Sequence, residues 1–169
     1  MKRLLVILAV MATAAPAWSQ TAPAPPAAPA AAPAPPYGAP IGLEAAQALI
    51  DRAIEAGRAR SFRLAVAVVE PSGELVAFGR MDDAQYGSIN VAQAKARSSA
   101  RFRAASASAE ERLAAGRIAL LAIDGIVPVA GGVPIVVDGR VVGAIGVSGA
   151  SSAQDDEVAR AAIAAVFGG

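Results

Sequence analysis

The spacing of apolar residues predicts the elements of the first half of the chain. Between residues 43 and 59 apolar side chains recur every three to four positions, which is typical of one face of an α-helix. Residues 63–69 are mostly apolar and β-branched, 70–73 have the composition of a turn, and 74–80 resume as a second apolar run. The pattern predicts an amphipathic helix followed by an antiparallel hairpin.

Two further helices are predicted in the middle of the chain. Residues 88–104 are rich in alanine and contain few helix breakers. Ser108, with Glu111 three residues later, is a capping-box pattern and predicts a short helix that ends near Gly116. One optional strand can follow this helix.

A second hairpin is predicted around Asp138-Gly139, a dipeptide typical of type I′ turns between β-rich runs. The runs are Val133–Val137 and Arg140–Val147. In the second run alternate residues face opposite sides of the sheet, and one side carries small residues, Gly146 and Ser148 among them. This small face lets another element approach closely, so it favours equally tight packing of a helix and contact with a ligand or subunit.

The chain is expected to end in a helix capped by Ser151 or Ser152, with acidic residues in its first turn. The complete order is helix, two strands, two helices, an optional strand, two strands and a helix. This order predicts an α+β domain with an antiparallel sheet of about five strands flanked by helices.

The first forty residues have a different composition from the rest. Residues 1–19 have the features of a signal peptide: Lys2 and Arg3, an apolar run, and small residues before the cleavage position. The run is short for a bilayer span, so we expect an exported protein, periplasmic or secreted, without a stable membrane anchor. Residues 20–41 are almost entirely alanine and proline, as in a semi-rigid linker. The folded domain is predicted over 42–169.

Composition excludes several classes of function. The chain has no cysteine and no histidine, which excludes disulfides, zinc sites built on these residues and Ser-His-Asp catalysis. Without residues 1–19, thirteen basic residues stand against fourteen acidic ones, which argues against binding to nucleic acid. No pair of nucleophile and base is evident, so we expect a binding protein more than an enzyme.

Several motifs together resemble the GlcG/HbpS family of haem-binding-like proteins, and they span about residues 43–168. The motifs are Gly131-Gly132-Val133-Pro134-Ile135, Asp138-Gly139, Val142-Gly143-Ala144-Ile145-Gly146-Val147-Ser148-Gly149 and Gln154-Asp155, with support from Arg80-Met81-Asp82 and Ala94-Lys95-Ala96-Arg97. The resemblance implies a profilin-like fold, assembly into homo-oligomers, and binding of haem or another small molecule.

The resemblance also directs attention to candidate ligand-binding residues. Some relatives hold haem through histidine, so here an iron ligand would have to be Met81, Tyr86, Lys95 or a serine. Lys95 could pair with a ligand carboxylate such as a haem propionate, or be a solvated lysine. The glycine turn before Val133 could bind an anion, or only lead into a strand. The candidates are Lys95, Tyr86, Met81, Ser98, Gly131, Gly132, Gly146 and Ser148, and no catalytic or metal-binding residue is assigned.

The sequence therefore predicts an exported protein that binds haem or another planar, carboxylate-bearing molecule, as a carrier or sensor. The alternative is a homo-oligomeric interaction or signalling partner without a catalytic site.

Overall fold

The computed structural model describes residues 33–168, and its elements follow the predicted order. The elements are α1 (Leu43–Ala59), β1 (Ala65–Val69), β2 (Leu75–Arg80), α2 (Gly87–Phe102), α3 (Ser106–Ala114), a short 3₁₀ helix (Ile118–Ala122), β3 (Gly132–Val137), β4 (Arg140–Ser148) and α4 (Ser152–Phe167). The predicted α+β class is confirmed. No helix among the described residues is long and apolar enough to cross a bilayer.

The described strands form one antiparallel sheet in the order β2-β1-β4-β3. The sheet has four strands rather than about five, because the segment expected to hold an optional strand forms the 3₁₀ helix instead. Asp138 and Gly139 both have positive φ, 49° and 71°, as the predicted type I′ turn requires.

The two faces of the sheet pack against different helices. Leu49 on α1 and Val158 on α4 lie in one buried cluster with the larger residues of the strands, such as Ile145. On the other face the strands carry mainly alanine, which meets the alanines of α2. Because both surfaces are small, α2 lies close to β1 and β4.

The capping box predicted at Ser108 was wrong for α3, whereas the serine cap predicted for α4 is confirmed. Ala105 occupies the N-cap of α3 without a side-chain cap, and the Ser108 hydroxyl donates to the Ala105 carbonyl oxygen at 2.8 Å. At α4 the N-cap is Ser151, whose amide donates to Gln154 Oε1 at 3.2 Å while its hydroxyl accepts from the Gln154 amide. The first motif failed because α3 begins two residues before Ser108.

The end of the predicted linker packs against the domain. Gly38 donates its amide to the Val141 carbonyl oxygen at 2.8 Å, and the Val141 amide donates to Pro36 at 2.9 Å. The Tyr37 hydroxyl donates to the Arg101 carbonyl oxygen at 2.8 Å, at the end of α2. The packed part of the chain therefore starts before the boundary predicted at residue 42.

Replacing Tyr37 by phenylalanine is expected to lower the free energy of unfolding by about 1 kcal/mol, because a hydrogen bond to the end of α2 is lost. The matched control is Tyr86→Phe, since Tyr86 is 80% exposed and should change stability by less than about 0.5 kcal/mol. Urea unfolding followed by circular dichroism measures both variants. An equal loss of stability in Tyr37→Phe and Tyr86→Phe would show that the Tyr37 hydrogen bond does not stabilise the packing of residues 36–38 against the domain.

Candidate ligand-binding site

Lys95 lies inside the domain, not on its surface. Its Nζ donates to Asp155 Oδ2 at 2.8 Å and to the Val147 carbonyl oxygen at 3.0 Å. Both charged side chains are 2% exposed. The expectation that Lys95 pairs with a ligand carboxylate is therefore corrected: its carboxylate partner is Asp155 of the same chain.

The ion pair joins three elements of the fold. Lys95 is on α2, Val147 is near the end of β4, and Asp155 is in the first turn of α4, where its Oδ1 accepts from the Ala150 amide at 3.0 Å. Burial raises the pKa of Asp155 above its usual value, against the opposing hydrogen bond and charge of Lys95 and the backbone amides. This pair is a structural connection between α2, β4 and α4.

Gly131 and Gly132 are packing positions around the ion pair. Gly131 has φ of 116°, and a Cβ there would lie 2.9 Å from Lys95 Nζ. The Gly132 amide donates to Ser106 Oγ at 2.9 Å, and a Cβ on Gly132 would lie 2.6 Å from Ser99 Oγ. With this amide already bonded inside the fold, the turn serves as an entry to β3 and not as an anion site.

The small face of β4 is covered by α2. A Cβ on Gly146 would collide with the Ala92 carbonyl oxygen and lie 2.6 Å from the Ala96 amide nitrogen. Ser148 is buried, and its hydroxyl donates to Ser88 Oγ at 3.2 Å. Of the two interpretations left open by the sequence, tight helix packing describes this face. A ligand would have to displace α2 to reach Gly146 or Ser148.

The remaining candidates lie apart from one another. Met81 is buried, and its sulfur accepts from the Leu64 amide at 3.4 Å. Tyr86, just before α2, is exposed beside the Arg80 guanidinium, 5.3 Å from its ring centre. Ser98 is about one turn before the end of α2. The eight candidates therefore do not form one site.

A partly enclosed pocket lies beside Ser98, between the end of α2, α3 and the chain after the 3₁₀ helix. Its volume is about 160 Å³, and its lining includes Phe102, Ala109 and Ile126. Arg112 also lines it and makes no ion pair with any residue of 33–168. This α2–α3 pocket offers apolar walls and one available guanidinium.

Exposed apolar side chains lie on the segment that leads to this pocket. Ile118 is 74% exposed, Leu121 is 65% exposed and Ile123 is 46% exposed. We call residues 118–126 the apolar segment. Large apolar side chains grouped on a surface mark a site of interaction. The candidate list missed this segment and Arg112, although the apolar run before Asp124 is visible in the sequence.

A larger cleft on the other side of α3 has the opposite charge. It is lined by Glu110, Glu111, Asp156 and Glu157. On α3, Glu110 and Glu111 face this cleft, whereas Arg112 faces the α2–α3 pocket. Like charges repel, so an anionic ligand favours the α2–α3 pocket.

Comparison with known families identifies the chain. The family model described as "Haem degrading protein HbpS-like" matches residues 41–164. The chain belongs to the HbpS-like family. The resemblance to GlcG/HbpS proteins drawn from the sequence motifs is thereby confirmed.

Three relatives of this HbpS-like chain show how far the similarity extends. Protein GlcG of Escherichia coli (strain K12) is 37% identical over 105 residues, which are 62% of this chain and 78% of GlcG. A double mutant of HbpS from Streptomyces reticuli is 34% identical, with a TM-score of 0.71, over 84% of this chain and 99% of that one. PduOC, solved as a haem complex, is 25% identical, with a TM-score of 0.69, over 75% of this chain and 95% of that one.

Proposed function

We propose that this chain binds haem or another planar, carboxylate-bearing molecule at the α2–α3 pocket and the apolar segment, as a carrier or sensor. The observation that carries this proposal is the α2–α3 pocket itself, where Phe102 and Ile126, the last residue of the apolar segment, line one cavity with the unpaired Arg112. Such a ligand buries an apolar plane, and its carboxylates need a cation. The haem-associated family and the haem complex of a relative support the ligand class.

The residues present fit a porphyrin by its plane and its propionates, not through the usual iron ligands. Histidine and cysteine are absent from the chain, and Met81 and Lys95 are engaged inside the fold. Tyr86 is exposed but does not line the α2–α3 pocket. Within residues 33–168 no group of three or more acidic side chains is placed to hold a metal ion. We therefore assign no iron ligand, and the apolar segment would hold the macrocycle by contact with its plane.

Export is part of the same proposal. It rests on residues 1–19, whose charged start and apolar run are typical of a signal peptide and which lie outside the described residues. Cell fractionation of the full chain, with Lys2 and Arg3 unchanged or both replaced by glutamate, tests it. Retention of the replaced form in the cytoplasm is the expected result.

Titration with haemin and with iron-free protoporphyrin IX tests the ligand. We expect saturable spectral shifts with both, and affinities within about threefold of each other, because no protein group is assigned to the iron. Phe102→Ala and Arg112→Gln should each weaken binding about fivefold to tenfold. Arg52→Gln is the control, since Arg52 is exposed on α1 and paired with Glu55.

If Phe102→Ala and Arg112→Gln bound haemin with the same affinity as Arg52→Gln, the assignment of the binding site to the α2–α3 pocket would be contradicted. Binding of haemin without binding of protoporphyrin would show that the iron is held by a protein ligand, against the proposal.

Self-association is the second candidate function, and the apolar segment also favours it. Ile118 is 74% exposed and Leu121 is 65% exposed, and they lie three residues apart in the chain, so their side chains form a small apolar group open to a partner. Light scattering at micromolar concentration, on the wild-type domain and on Leu121→Asp, tests self-association. An oligomer that becomes monomeric in the variant supports assembly, and a wild-type monomer counts against it.

A further inference from the structure

The α2–α3 pocket is too small for a whole porphyrin. Its volume of about 160 Å³ resembles that of an apolar protein cavity of about 150 Å³ that accepts one benzene ring. A tetrapyrrole has four linked five-membered rings, so only one edge of it can enter, and the proposed function places the remainder on the apolar segment outside the pocket. The enclosed space by itself matches a single ring.

The polar groups on the pocket wall are already bonded inside the protein. Ser98 Oγ accepts from the Val127 amide at 3.0 Å, and Ser106 Oγ accepts from the Gly132 amide at 2.9 Å. The Ser108 hydroxyl donates to the Ala105 carbonyl oxygen at 2.8 Å. A ligand therefore meets alanine and serine carbon atoms, and the side chains of Phe102 and Ile126, with few free hydrogen-bonding groups.

Arg112 supplies the single charge of this pocket. It is exposed, and among residues 33–168 no carboxylate lies within ion-pair distance of it. Glu110 of the same helix accepts hydrogen bonds from the Ala130 amide at 2.8 Å and from Ser152 Oγ at 3.0 Å, on the other side of α3. The guanidinium is therefore available for a carboxylate brought by a ligand.

We infer that the α2–α3 pocket is a binding site for small monocyclic carboxylates, of the size of benzoate or cyclohexanecarboxylate. The ring lies beside Phe102 and Ile126, and the carboxylate accepts hydrogen bonds from Arg112. This inference rests on the proposed function in placing the ligand at the pocket. It differs in ligand class, because a ring acid fills the enclosed space and does not need the apolar segment.

Calorimetric titration with benzoate, cyclohexanecarboxylate, benzamide and acetate tests the inference. For the two ring acids we expect saturable binding with a Kd of about 1 mM, and at least tenfold weaker binding of benzamide, which lacks the charge, and acetate, which lacks the ring. Arg112→Gln should weaken the ring acids about fivefold or more, whereas Arg117→Gln, at an exposed arginine outside the pocket lining, should not.

A matched pair of substitutions on α3 tests the location. Ala109→Phe fills the α2–α3 pocket, whereas Ala107→Phe places the same side chain in the acidic cleft on the other face of the helix. We expect loss of ring-acid binding in the first variant only, with both variants retaining the wild-type circular dichroism spectrum. Should Ala109→Phe fail to fold, Ser108→Leu fills the same pocket from the preceding residue.

Absence of saturation by the ring acids at about 10 mM in the wild type would overturn the inference, as would equal binding of benzamide and benzoate. Equal effects of Ala107→Phe and Ala109→Phe would also overturn it. A parallel haemin titration separates this failure from that of the proposed function. Haemin binding without ring-acid binding removes the small-ligand site alone, and ring-acid binding without haemin binding removes the porphyrin proposal alone.

Discussion

Lys95→Met is expected to lower the free energy of unfolding by about 3–5 kcal/mol at neutral pH. The substitution keeps most of the apolar stem of the side chain but removes the ammonium that contacts Asp155 and Val147. Asp155 is then left 2% exposed without its charged partner. Urea unfolding followed by circular dichroism measures the loss, because the single tryptophan, Trp18, lies outside the described residues 33–168.

The loss should depend on pH in a direction set by Asp155. Burial raises its pKa, and Lys95 opposes this, so removing Lys95 raises the pKa further. A carboxyl whose folded pKa lies above its unfolded value contributes stability at low pH, and this is lost as pH rises through the folded pKa. The deficit of Lys95→Met should therefore be smaller near pH 4 than near pH 7.

The control is the double variant Lys95→Met/Asp155→Leu, which removes both charges. Its free energy of unfolding should lie within about 1.5 kcal/mol of the wild-type value. A Lys95→Met variant as stable as the wild type at neutral pH would contradict the structural role of the pair. So would a deficit that grows toward acid pH.

Gly146→Val is also expected to have a large effect. We expect its free energy of unfolding to fall by about 4 kcal/mol or more, which is enough to leave much of the chain unfolded. A Cβ at this position collides with the Ala92 carbonyl oxygen and approaches the Ala96 amide nitrogen, both in the backbone of α2. Backbone atoms of a packed helix cannot move away as a flexible side chain can. Circular dichroism and urea unfolding of the purified variant measure the effect.

Gly87→Ala is the matched control for this substitution. Gly87 is the first residue of α2, and a Cβ there meets nothing within 4 Å. We expect a change in stability within about 0.5 kcal/mol. A stable Gly146→Val protein would mean that α2 does not lie against β4 as described, and the small face would again be available to a ligand.

Local sequence signals were sufficient for most of the fold. The helical spacing of residues 43–59 and the Asp138-Gly139 turn each predicted an element that the structure contains. Helical spacing and turn dipeptides depend only on residues that are close together in the chain. A single sequence is therefore enough to predict these elements. The capping pattern at Ser108 failed because a helix start also depends on what the preceding residues contact, here the packing of Ser106 against Gly132.

The site was predicted less well, for a physical reason. The sequence shows that Lys95 is an isolated lysine, but not that Asp155, 60 residues later, lies 2.8 Å from it. Likewise the alternation of β4 shows a small face at Gly146 without showing what covers it. Both questions concern contacts between distant segments. Arg112 lacked any local motif, and only the packing of α3 places it at an apolar pocket.

In the proposed function the ligand binds at the α2–α3 pocket and not in the interior around Lys95. Haemin titration of two folded variants tests it most directly: Lys95→Met/Asp155→Leu, which changes the interior, and Ala109→Phe, which fills the pocket. We predict wild-type affinity for the first and at least about tenfold weaker binding for the second. Loss of haemin binding in Lys95→Met/Asp155→Leu, with wild-type affinity in Ala109→Phe, would show that the ligand does not bind at the α2–α3 pocket.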